Sequence, residues 1–115
     1  MKEYMFLFRG GNDPTWEQSP AEAQTNLQLW FDWMANLQAN GQLAHAQPLD
    51  KGGQQISGKD KHVSNGPFTE GNEAIGGYLI CRAENYQSAL EIAKDCPILS
   101  FDDGKVEIRE IMEMT

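Results

Sequence analysis

The chain has 115 residues, and its 9 Lys+Arg against 17 Asp+Glu leave a net charge of −8. That length fits one domain, so a single domain over residues 1–115 is expected. The acidity argues against nucleic acid or an anionic membrane as a partner, because phosphate binding wants clustered Lys and Arg.

In chain order, residues 2–9 (KEYMFLFR) read as a strand. Its period of two sends Tyr4, Phe6 and Phe8 to one face and Met5 and Leu7 to the other. Both faces are apolar, so burial on both sides is expected. Gly10-Gly11-Asn12-Asp13-Pro14 ends it. Ser19-Pro20-Ala21-Glu22 starts a helix: Ser19 caps it, Pro20 suits the first turn, and Glu22 sits at the capping-box position. The helix runs to about Asn40 and stops at Gly41. Leu27, Trp30, Phe31, Met34 and Leu37 follow 3-4 spacing and are expected as its buried stripe. Residues 42–49 (QLAHAQPL) form a short strand that Pro48 confines to a sheet edge or a strand end. The polar, Gly-rich stretch from Asp50 to Lys61 is expected as a loop or protruding hairpin, with Gln54–Ser57 weakly extended. Residues 75–82 (IGGYLICR) are a strong strand. Asn85 caps a second helix to about Asp95, with Tyr86, Ala89, Leu90 and Ala93 as its stripe, and Pro97 stops it. Asp102-Asp103-Gly104 is a turn, and Val106–Met112 the last strand.

The order β-α-β-(hairpin)-β-α-β is the ferredoxin-like split βαβ pattern. It predicts an α+β fold, ferredoxin-like βαββαβ, with a four-stranded antiparallel sheet and two helices on one face. The other face carries too many large apolar side chains to stand in water. A second copy is the simplest cover, so a homodimer with twofold symmetry is expected.

The stretch Val63–Tyr78, VSNGPFTEGNEAIGGY, resembles the signature of the YCII-related (DGPF-domain) family. Asn65-Gly66-Pro67-Phe68 stands where that family has Asp-Gly-Pro-Phe. Glu70 and Glu73 match its acids, and Gly76-Gly77-Tyr78 its Gly-Gly-Tyr strand. Cys96-Pro97 and Val106-Glu107-Ile108-Arg109 are further matches. The resemblance implies protomers that pair into a dimeric α+β barrel, with ligands between sheet and helices or in the surrounding loops. It also implies small-molecule chemistry in some relatives, including dehydrochlorinase-type lyases on aromatic rings. Proteins of the DGPF type that the chain resembles are also often associated with extracytoplasmic sigma factors, which implies a role in transcription. Three departures stand out: Asn65 replaces the family's usual Asp, Asn72 its Lys, and Glu110 its Pro. The wider group often pairs a helix histidine with an aspartate; alignment on Gly41 and Pro97 puts Trp30 and Cys96 at those places.

His45, mid-strand between Ala44 and Ala46, is the candidate catalytic acid/base, since an imidazole titrates near neutral pH. Trp30, Asn65, Phe68, Glu70, Glu73, Tyr78 and Arg109 are candidates for a ligand pocket. Arg109, on an otherwise apolar strand, calls for a carboxylate such as Glu107 or Glu73. Cys96 precedes a proline at a helix C-terminus, where the dipole disfavours a thiolate, so a buried structural thiol is expected. With no Cys-x-x-Cys, His-x-x-x-His or phosphate-cradling glycine loop, no metal or other cofactor is expected. The N-terminal apolar run is too short for a signal peptide and no run spans a bilayer, so a cytoplasmic protein with reduced thiols is expected. The sequence leaves two functions open. The first is small-molecule binding with lyase- or isomerase-like turnover of an aromatic or carboxylate-bearing compound. The alternative is a non-catalytic interaction or regulatory module, accessory to transcription.

Overall fold

The computed structural model of the chain describes residues 1–11, 19–50, 52–66 and 74–114. Among the described residues the order is β1 (Lys2–Arg9), α1 (Pro20–Ala39), β2 (Leu43–Pro48), β3 (Gln54–Ser57), β4 (His62–Asn65), β5 (Ile75–Ala83), α2 (Tyr86–Lys94), a 3-10 turn at Pro97–Ser100, and β6 (Lys105–Glu110). Strands β2-β5-β1-β6 form one four-stranded sheet in that order, and every pairing is antiparallel. This is the ferredoxin-like arrangement. The expected hairpin forms as β3–β4, a two-stranded sheet of its own. Pro48 closes the edge strand β2, where its missing N–H leaves no gap in a ladder.

Local chemistry sets the boundaries. Ser19 Oγ accepts from Glu22 N–H at 3.1 Å, and Asn85 Oδ1 accepts from Ser88 N–H at 2.9 Å, so both helices carry a side-chain N-cap. At the far end of α1, Gly41 takes φ +69, and Gln42 N–H reaches back to the Leu37 carbonyl at 2.8 Å. That pairing supplies an otherwise unpaired helix carbonyl, and only a glycine adopts it without strain.

The core lies between sheet and helices. Tyr4, Phe6 and Phe8 of β1 face Cys81, Leu79 and Gly77 of β5 and are buried against Trp33 and Leu37 of α1 and Ala89 and Ala93 of α2. The stripe of α1 is rotated from the one expected. Trp33 and Leu37 are buried, whereas Leu27 and Phe31 are each 53% exposed. On α2, Ala89 and Ala93 are buried as expected, but Tyr86 is exposed, its ring edge-on to Tyr4 at 6.1 Å. The last strand stops at Glu110, so Met112 lies beyond it and is exposed. The second face of the sheet carries Met5, Leu7, Tyr78 and Ile80. These are half-buried rather than buried, since no element of the described chain lies over them as a second layer.

Two irregularities re-aim side chains near the end of the sheet. The β2–β5 register shifts between Leu43 and His45, so Ala44 is an extra residue in β2. The β1–β5 register shifts between Phe8 and Arg9, so Gly76 is an extra residue in β5. An extra residue inverts side-chain parity beyond it.

Candidate functional site

The end of the sheet where β1 stops, β5 begins and β2 stops holds a cavity of about 610 Å³. That volume is within the range of small-molecule sites, roughly 300–1,000 Å³. Its floor is Phe8, Ala46, Pro48, Gly76, Gly77 and Leu79, and its roof is the α1 face carrying Ala23, Asn26, Leu27, Trp30, Phe31 and Met34. Ile98 and Phe101, from the turn after α2, close one side.

The cavity follows from side-chain size. Gly77 lies opposite Phe8 and Pro48 on the helix-facing side, and a Cβ there would sit 3.1 Å from the Gln47 carbonyl oxygen. With glycine and alanine on the floor, no side chain rises to meet the long residues of α1. Leu27 and Phe31 therefore remain exposed although they face the sheet side. Trp30 is anchored beside the space. Its ring is edge-to-face with Phe8 at 5.2 Å and with Trp33 at 5.8 Å, contacts that restrict its rotation.

The candidate residues fall into three groups. Trp30 and Tyr78 both line the cavity, but differently. Register puts the Tyr78 side chain on the opposite face from Leu79 and Gly77, so it contributes backbone to the wall while its ring lies 5.7 Å from that of His45. His45 is exposed and is not a lining residue. The Ala44 bulge explains its position. Leu43 pairs with Cys81 on the helix side, and without the extra residue His45 would share that side; with it, His45 pairs with Ile80 on the open face. Arg109 also stands on the open face, where its Nη1 donates to Glu107 Oε2 at 3.4 Å, and the other oxygen of Glu107 accepts from Arg9 Nη1 at 2.6 Å. The expected carboxylate partner of Arg109 is thus Glu107.

Asn65 ends β4 on the hairpin, opposite Gln54, and is exposed. The adjoining Gly66 takes φ +82, a backbone conformation that glycine adopts freely, and its N–H donates to the Gly53 carbonyl at 2.7 Å, carrying the β3–β4 pairing one residue further. Phe68, Glu70 and Glu73 lie outside the described residues.

Among the described residues, the cavity wall contains no Asp, Glu, His, Lys, Arg or Cys. Its polar side chains are the Asn26 amide and the Trp30 indole, whereas Gln47, paired with Tyr78, lies with it on the open face and lends backbone to the wall. No group of three or more His, Cys, Asp and Glu among the described residues is arranged to hold a metal ion. Both thiols are buried and free. Burial pushes Cys81 up from 9.0 to about 11 and Cys96 to about 12, so neither is a nucleophile at neutral pH. Tyr4 is fully buried, and its hydroxyl has no hydrogen-bond partner among the described residues. Burial first, then the charge of Glu110 opposite it, raises that phenol above its ordinary value. Among the described residues, no helix is long and apolar enough to cross a membrane.

The residues that sequence reasoning left out of the site are Phe8, Leu27, Phe31, Met34, Ala46, Ile98 and Phe101. Two signals in the sequence bear on them: a Gly-Gly pair inside a strand, which leaves a hollow, and an apolar stripe on α1 too wide for one contact line.

These features define a ferredoxin-like α+β domain with an apolar cavity between its first helix and the edge of its sheet. The model of the YCII-related domain matches residues 4–115. The chain belongs to the YCII-related family. Among solved structures, it is similar to 5-chloro-2-hydroxyhydroquinone dehydrochlorinase from Burkholderia phenoliruptrix, determined with 2,5-dihydroxybenzoquinone. The identity is 11%, the coverage 97% of this chain and 95% of that one, and the TM-score 0.49. No curated protein matches the chain.

Proposed function

We propose that this chain is a small-molecule-binding domain whose ligand lies between α1 and the β2–β5 side of the sheet. The observation that carries the reading is the 610 Å³ space with Leu27 and Phe31 directed at it yet half-exposed. Large apolar side chains left uncovered around a concave space mark a binding site more often than a packing fault. The reading favours binding over turnover by His45, which stands across the sheet from the cavity. Lyase- or isomerase-like chemistry would instead draw its proton-transfer group from Glu70 or Glu73. The test is a thermal-shift screen of small aromatic compounds on wild type, Phe31→Ser, His45→Ala and Glu70→Gln/Glu73→Gln. A ligand at 100 times its Kd adds about 2.7 kcal/mol of stability. We expect a saturable shift in wild type that persists in His45→Ala and vanishes in Phe31→Ser. A shift that Phe31→Ser leaves intact would sink the reading.

We also propose that a second copy covers the open face. Met5, Leu7, Tyr78 and Ile80 form its centre, and Glu3, Arg82, Arg9, Glu107 and Arg109 its rim. A rim of both signs around an apolar centre is suited to pairing with itself about a twofold axis. Light scattering on the eluting chromatographic peak at micromolar concentration should give twice the mass of 12.9 kDa; a monomer mass would refute it. The same face supports the non-catalytic interaction reading, for which a stable complex with a different protein in place of the homodimer is the expected sign.

A further inference from the structure

We infer that the cavity under α1 selects an uncharged aromatic compound and rejects the corresponding carboxylate; this rests on the reading of that cavity as a binding site. The first observation is the wall itself. Phe8, Leu27, Trp30, Phe31, Met34 and Phe101 supply its bulk, and no cationic side chain lines it among the described residues. A carboxylate moved from water into such a space loses its hydration and finds no opposite charge, a cost that a neutral ring avoids. The amide side chain that the wall carries among the described residues, Asn26, suits a hydroxyl or carbonyl group.

The second observation is independent of the wall. The whole chain carries a net charge of −8, which opposes an approaching anion. Arg9, which adjoins the lining residues Phe8 and Gly10, does not offset this. Arg9 and Arg109 stand on the opposite face of the sheet, both engaged with Glu107.

The test compares 2-naphthol, neutral at pH 7, with 2-naphthoate, ionised at that pH, by isothermal titration calorimetry on the full chain. The two share a ring system and differ in charge. Wild type should bind the naphthol saturably and the naphthoate at least ten-fold more weakly. Leu27→Arg, at a half-exposed helix position that accepts a charge without unfolding, puts a cation on the wall and should narrow or reverse that ratio. Equal or tighter binding of naphthoate by wild type would overturn the charge selectivity while leaving the binding site in place. A ratio unchanged in Leu27→Arg would move the ligand out of this cavity and overturn the assignment. No binding of either compound would overturn both the selectivity and the binding reading beneath it.

Discussion

Two leucines on one helix separate a packed face from a cavity face, and truncating each measures the difference. Leu37 is 2% exposed and belongs to the core, whereas Leu27 is 53% exposed and overhangs the cavity. Leu37→Ala removes buried methyl groups and leaves a void, which costs about 2–5 kcal/mol. For Leu27→Ala the stake is smaller. Burying a whole leucine contributes roughly 1.5–3 kcal/mol, and less than half of that side chain is covered, so the expected loss is about 1 kcal/mol. At about 4–8 °C per kcal/mol for a domain near this size, Leu37→Ala should lower Tm by roughly 10 °C or more and Leu27→Ala by roughly 5 °C. Scanning calorimetry, with urea unfolding followed by circular dichroism, reads both. Equal, large losses would mean that the first half of α1 packs as tightly as the second, and the cavity would not exist in solution.

Raising pH should destabilise the fold through its buried thiols. Their folded pKa values, about 11 for Cys81 and about 12 for Cys96, exceed the ordinary 9.0. The stabilisation is thus complete below pH 9 and is lost as pH rises toward those values, by up to about 1.4 kcal/mol per pH unit for each thiol. A Cys81→Ala/Cys96→Ala double variant should show a flatter fall in Tm above pH 9; an identical fall would refute the assignment. Two glycines should respond differently to alanine. Gly58 stands at φ +72 in open space, so Gly58→Ala costs about 1–2 kcal/mol for the left-handed backbone alone. Gly10, at φ +80, is pressed against the Asp103 carbonyl, so Gly10→Ala must also displace backbone and should cost more by urea unfolding. Glu107→Gln removes the charge that Arg9 and Arg109 share and should cost about 1 kcal/mol at low salt. A loss unchanged by 1 M salt would contradict that origin.

The amino-acid sequence by itself determined the elements and their order, because the signals involved are local. Ser19 and Asn85 cap their helices, Gly41 ends one, and Pro97 stops the other, each through its own backbone preferences. The alternation of Tyr4, Phe6 and Phe8 with Met5 and Leu7 assigned both faces of β1 correctly, since pleat parity is a property of the strand alone. Tertiary structure decided the site. Spacing places Trp30, Phe31, Trp33 and Met34 on neighbouring lines of α1, but the rotation of that helix over the sheet chooses Trp33 for the core and leaves Phe31 at the cavity. Likewise, nothing local to His45 announces the extra residue at Ala44. A bulge arises from how two strands pair, and this one carries His45 to the face opposite the cavity.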